Sequence, residues 1–238
     1  MPNQYFQFKQ FIVHQEHCAM KVGTDGVLLG AWAPIKKTDQ NILDVGTGTG
    51  LIALMLAQRS NAVIKAIDIE AGAVKQATVN FESSPWKNRL FLFHTSLQDF
   101  SSLYESCYDL IVSNPPYFSN SLKAPEQSRN IARHNDTLPL EDFFRCADKL
   151  LINTGRICLI LPVSETFQCV KLAKKTGFNC SIHTVVIPKP YSNPKRVLLE
   201  FSRESSTVIN NTLLIESEQR HVYSEEFIEL VKAFYLHL

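Results

Sequence analysis

The chain has 238 residues, 45% of them hydrophobic and 20% charged, enough to bury a sizeable core in a single domain spanning residues 1–238. Its formal net charge of +1 excludes a broadly basic nucleic-acid binder, so any basic surface must be local. Six cysteines stand at positions 18, 107, 146, 158, 169 and 180 without a Cys-x-x-Cys pair, which argues against a disulfide framework or zinc site and for reduced core thiols.

Met1 leads into Pro-Asn-Gln-Tyr with no signal-peptide pattern, and no apolar run reaches about 18 residues, so the expectation is a soluble, cytoplasmic protein. Residues 1–20 alternate aromatic, polar and apolar groups, as in Tyr5-Phe6-Gln7-Phe8-Lys9-Gln10-Phe11, which predicts one or two short strands. His14 and His17 lack the His-Glu-x-x-His metal spacing. Next, Thr24 or Asp25 caps a predicted helix over Gly26–Trp32, and Pro34 ends it. Asp25 would put a carboxylate near the ligand face. Residues 1–35 are read together as a segment that covers substrate and cofactor.

Asn41–Val45 is a predicted buried strand running into Gly46-Thr47-Gly48-Thr49-Gly50 and a helix over Leu51–Arg59. A strand, glycine turn and helix mark a nucleotide-type cofactor site, where bare backbone approaches the ligand and the helix offers unpaired N–H groups. The spacing Gly-x-Gly-x-Gly departs from the dinucleotide fingerprint. Asp44 at the strand's end suits a positive ligand group better than a pyrophosphate. The second strand, Val63–Ile67, ends at Asp68, where a carboxylate would take the two hydroxyls of a ribose. Glu70 is the near competitor, and a helix follows over Ala71–Asn80. A third strand, Leu90–Phe93, leads to a predicted loop, His94–Asp99, with Ser96, Leu97 and Asp99 as candidate contacts for the base of the cofactor.

The fourth strand, Leu110–Val112, ends abruptly in Asn114-Pro115-Pro116-Tyr117. Prolines offer no N–H to a ladder and fix φ near −65°, so the chain leaves the sheet stiffly. It presents an amide, a carbonyl and an aromatic ring at the ligand edge. An exocyclic amino nitrogen conjugated to a ring is a poor nucleophile. Two oxygen acceptors, from Asn114 and Pro115, would steer it toward a tetrahedral shape with its lone pair free, and Tyr117 could stack on the planar substrate.

Residues 119–137 lack periodicity and carry Lys123, Arg129, Arg133 and His134, the best local phosphate-binding candidates. Beyond them the pattern predicts a helix over 139–152 punctuated by Gly155, a strand over Arg156–Leu161, a helix over Ser164–Thr176 and a strand over Cys180–Ile187. A loop with Lys189, Lys195 and Arg196 follows, then a return strand Val197–Phe201, a last strand over Val208–Ile215 and a terminal helix over Tyr223–Leu238.

Taken together, Asp44–Gly50, Asp68 and Asn114–Tyr117 resemble the class I S-adenosylmethionine-dependent methyltransferases. Phe8–Phe11, Lys21–Trp32, Asp109–Phe118 and Arg129-x-x-x-Arg133-His134 resemble more closely the bacterial family that methylates the N6 amino group of adenine 37 in valine tRNA. The resemblance implies a Rossmann-like α/β fold: a mostly parallel seven-stranded sheet, an antiparallel edge hairpin and helices on both faces. It implies Asn114, Pro115, Pro116 and Tyr117 as catalytic residues. Asp25, Asp44, Gly46, Thr47, Gly48, Gly50, Asp68, Ser96, Leu97 and Asn114 would meet S-adenosylmethionine. Lys123, Arg129, Arg133, His134, Lys195 and Arg196 would meet tRNA, and the protein would be a monomer without metal or membrane partner. Methylation of a protein glutamine amide or of adenine in rRNA would suit the same proline turn. A nicotinamide oxidoreductase would leave that turn without a task.

Overall fold

The computed structural model describes residues 4–18, 21–115, 138–205, 207–219 and 222–238. The chain opens on an antiparallel hairpin, β1 (Tyr5–Gln7) and β2 (Ile12–His14), followed by α1 (Thr24–Trp32). Then strands and helices alternate: β3 (Asn41–Val45), α2 (Leu51–Arg59), β4 (Val63–Asp68), α3 (Ala71–Glu82), β5 (Leu90–His94), α4 (Leu97–Leu103) and β6 (Tyr108–Ser113). The second half supplies α5 (Leu140–Leu150), β7 (Leu151–Pro162), α6 (Thr166–Lys175), β8 (Asn179–Ile187), β9 (Arg196–Ser202), β10 (Ile209–Leu214) and α7 (Glu225–Val231).

The eight later strands form one sheet in the order β10-β8-β9-β7-β6-β3-β4-β5. Neighbours are parallel except around β9, which runs antiparallel to both β7 and β8. Ile42, Ile64, Leu110, Val112 and Ile160 are buried in one core, beneath the hairpin, α1, α2, α3 and α7. Leu43, Val45, Ile67, Ile111 and Leu159 are buried in the other, beneath α4, α5 and α6. Both sheet faces are covered, so the central strands read as continuous apolar runs rather than alternating ones. Helix α1 lies close on α2: a Cβ on Gly30 would stand 2.7 Å from Met55 Sδ.

Several boundaries differ from expectation. The sheet has eight strands rather than seven, because β10 adds a parallel edge beside β8 and the antiparallel hairpin lies inside it. Helix α4 replaces a predicted loop: Ser96 caps it by accepting from Asp99 N, while Leu97 and Phe100 bury one side. Helix α1 begins at Thr24 with Gly23 at its N-cap and no side-chain cap, so neither Thr24 nor Asp25 caps it. Strand β7 starts directly after α5, and Gly155 lies within it where the register against β6 shifts, so it does not end the preceding helix. Helix α7 stops at Val231 because the chain turns there; the carbonyl of Phe234 accepts from Lys9 N at 2.8 Å. Among the described residues no helix is long and apolar enough to cross a membrane.

Candidate functional site

Strands β3 and β6 are parallel neighbours, with Val45 opposite Ser113. From β3 the chain winds outward to β4 and β5, and from β6 outward the other way to β7. Strand order reverses between them, and in open α/β sheets the crevice at that reversal, on the carboxyl edge, holds the ligand. Two interactions hold the pair level. The carboxylate of Asp109 accepts from Gln40 N and Asn41 N, both at 2.9 Å, at one end. The Ser113 hydroxyl donates to Val45 O at 2.8 Å at the other.

From β3 the chain enters the glycine turn. Gly46, Gly48 and Gly50 have φ of +70°, +58° and +83°. Gly46 N and Thr47 N both donate to Ile67 O, at 2.9 and 3.1 Å, tying the turn to the end of β4. Gly50 then caps α2 in the left-handed region, and a Cβ there would lie 2.5 Å from Phe81 Cε1. No side chain can occupy that position without displacing the ring.

Two carboxylates border this turn. Asp44 is fully buried; Thr47 Oγ1 donates to its Oδ2 at 2.6 Å and Ala53 N at 3.2 Å. Its Oδ1 is buried and has no hydrogen-bond partner among the described residues. Burial pushes the carboxyl up from 3.8 to about 7, with Asp68 adding a smaller push and the two hydrogen bonds opposing it. A buried acceptor left unpaired is costly, and a cationic donor on a ligand would satisfy it. Asp68, also buried, accepts from Gly48 N at 2.8 Å through Oδ2 and from Glu70 N at 2.9 Å through Oδ1. Its orientation is set by backbone, and each oxygen keeps a lone pair for a hydroxyl. Glu70 is exposed and serves as N-cap of α3. The pair therefore fits a ligand carrying an ammonium group at one end and vicinal hydroxyls at the other, as S-adenosylmethionine does.

The remaining predicted residues fall in three groups. Asn114 and Pro115 leave β6 directly beside the glycine turn, with Pro115 buried. Ser96 is engaged with its own helix, donating to Asp99 Oδ2 at 2.6 Å and accepting from Asp99 N at 3.1 Å, and the Leu97 side chain is in the core. Asp25 and Arg196, expected to meet cofactor and RNA respectively, meet each other: Arg196 Nε donates to Asp25 Oδ2 at 2.8 Å. Lys195 is exposed on the same edge. Pro116, Tyr117, Lys123, Arg129, Arg133 and His134 lie outside the described residues.

Two residues escaped the sequence analysis. Asn80 on α3 is buried, donates to Thr49 O at 2.8 Å and His14 O at 2.9 Å, and accepts from His14 N at 2.8 Å. Gln76, one turn earlier, accepts from His17 N at 2.9 Å. They bind the amino-terminal segment to α3 and, through Asn80, to the glycine turn. The signal was present as two amides four apart beside Ala73, Ala77 and Phe81, on what is the buried side of α3.

Comparisons with known proteins agree on the class. The family model described as methyltransferase small domain matches residues 24–175. A tRNA1(Val) (adenine(37)-N6)-methyltransferase of Parabacteroides distasonis is 50% identical over 236 residues, covering 99% of each chain. One of Flavobacterium psychrophilum is 48% identical, covering 97% of this chain and 99% of its own. Among solved structures, a predicted O-methyltransferase from Agrobacterium tumefaciens superposes with a TM-score of 0.69 at 16% identity, over 88% of this chain and 96% of that one. M. jannaschii TYW2 in complex with AdoMet gives a TM-score of 0.57 at 14% identity, over 86% and 89%. The two solved structures speak to the fold alone, and the full-length relatives speak to the family. The chain belongs to the tRNA1(Val) (adenine(37)-N6)-methyltransferases and carries their methyltransferase small domain.

Proposed function

We propose that this chain methylates the N6 amino group of adenine 37 in valine tRNA, using S-adenosylmethionine and working in the cytoplasm. The observation that carries the proposal is the level ending of β3 and β6, which sets Asn114-Pro115 beside the glycine turn and its two carboxylates. S-adenosylmethionine supplies an electrophilic methyl on a sulfonium. Asp44 meets the cofactor's ammonium group and Asp68 its ribose hydroxyls. The adenine amino group delocalises its lone pair into the ring, which makes it a weak nucleophile. Asn114 Oδ1 and the Pro115 carbonyl each accept one of its N–H bonds, turning the lone pair out of the ring plane toward the methyl. Tyr117 supplies the stacking face. Bound there, S-adenosylmethionine would supply its methyl in a displacement in which an N–C bond replaces the S–C bond and the amino proton is lost afterwards, so Asn114 and Pro115 would need only to position the nitrogen and no strong base would be required. Adenine 37 lies in a loop and is already unpaired, so extruding it avoids most of the few kcal/mol that flipping from a duplex costs.

The test is mass spectrometry of valine tRNA from cells with and without the protein. N6-methyladenosine at position 37 should vanish without it and return on complementation. Persistence of the mark would remove this activity, and radiolabel appearing in a release factor instead of tRNA would move the chemistry to glutamine.

A further inference from the structure

Strand β7 outruns β6 on the ligand edge, and its other neighbour β9, with β8 beyond, stands at the same height. Ser113, the last residue of β6, lies opposite Leu159, but β7 continues to Pro162, which pairs with Arg196. At about 3.3 Å per residue this raises a wall about 10 Å high, one strand spacing from the point where Asn114 leaves the sheet. Along its crest stand Val163, 39% exposed, and Phe167, 79% exposed. Val163 N donates to Lys195 O at 3.3 Å, which brings Lys195 to the same crest. The core-facing side of α6 is Cys169, Leu172 and Ala173, so Phe167 is left on the solvent side of its first turn. Residues 163–175 carry one acid, Glu165, against Lys171, Lys174 and Lys175. Of the nearby cations, Lys189 pairs with Glu216 and Arg196 with Asp25, whereas Lys195 makes no ion pair among the described residues.

An exposed ring beside unpaired lysines is the pattern with which proteins hold single-stranded nucleic acid. The ring takes a base face whatever the base, and the ammonium takes the phosphate. We propose that Val163, Phe167 and Lys195 form a stacking ridge for an unpaired nucleotide flanking the target adenine. This rests on the tRNA substrate proposed above. The ridge is where a neighbour of an extruded base would come to lie, since it caps β7, the strand next to β6, from which Asn114 and Pro115 leave the sheet. Tyr191 provides the contrast. It is 97% exposed on the same edge, but its hydroxyl donates to Glu218 at 3.2 Å and Glu216 stands beside it, so carboxylates repel a phosphate there.

The experiment measures fluorescence anisotropy of a labelled valine anticodon stem–loop, unmethylated at position 37, with the full chain. Phe167→Ala should weaken binding about tenfold, and Phe167→Trp should restore it. Lys195→Gln should weaken it less and lower the salt slope by about 0.7. Tyr191→Ala should bind as the wild type does. The thermal midpoint of Phe167→Ala should not move, because its side chain is exposed. Undiminished binding by Phe167→Ala, or an equal loss in Tyr191→Ala, would overturn the ridge. So would loss of self-association in Phe167→Ala by sedimentation, which would assign the face to a second copy. Methyl transfer is assayed separately: a wild type that binds the loop through Phe167 yet transfers no methyl would end the proposed activity and keep the ridge.

Discussion

Asn114 and Asp44 are the two residues whose chemistry can be isolated. Asn114 stands at the end of β6, and its proposed value lies in the transition state, where the amino nitrogen leaves the ring plane. Asn114→Ala should cost about 2–4 kcal/mol in kcat/KM, carried mainly by kcat, with a much smaller change in S-adenosylhomocysteine affinity by calorimetry. Unchanged turnover would remove the residue from the mechanism. Asp44 makes a pH prediction. Burial raises its carboxyl from 3.8 to about 7, so in the ligand-free fold it keeps its proton up to about neutral pH. The stability this contributes is complete below about pH 4 and is lost as pH rises through about 7. A ligand ammonium group has the opposite preference. S-adenosylhomocysteine should bind more weakly by up to about tenfold per pH unit below 7, with proton release on binding. Asp44→Asn should flatten that profile, and a flat wild-type profile would separate Asp44 from the ammonium.

Among the elements, the glycine turn shows how one requirement is imposed twice. Gly48 and Gly50 both have positive φ, but a Cβ on Gly48 would find only Cys18 Sγ at 4.0 Å, whereas on Gly50 it would strike Phe81 at 2.5 Å. Gly48→Ala should cost about 1–2 kcal/mol for the left-handed backbone alone. Gly50→Ala should cost that and about 1–3 kcal/mol more for the overpacked ring. Urea denaturation of the two variants checks the order; equal midpoints would mean that Phe81 moves freely. The strand–glycine–helix signature was legible because periodicity and a run of three glycines are local. Helix α4 was not, because only Leu97 and Phe100 of its early residues are buried and the Ser96–Asp99 cap is indistinguishable from a polar loop until the backbone is seen.

Over the whole molecule, the amino-terminal hairpin closes the domain. Phe8 is buried, stacks on Phe11 at 4.6 Å and lies 6.0 Å from Tyr235, while Lys9 N donates to Phe234 O. It joins the two chain ends across more than two hundred residues of sequence, on the same core as α1 and α2. Phe8→Ala should cost about 3–5 kcal/mol by denaturation and open both ends to limited proteolysis. A stable, protease-resistant variant would show that the hairpin is decoration. The amino-acid sequence alone determined the alternating α/β order, the Asp44–Gly50 turn, Asp68 and the Asn114–Pro115 corner, because each is written in adjacent residues whose backbone limits are strict. Tertiary structure alone decided that Arg196 turns to Asp25, that Asn80 ties the amino-terminal segment to the glycine turn, and that the β7–β9 pair rises beside the site. Those depend on strand register and on side chains brought together from distant positions, and no local spacing encodes either.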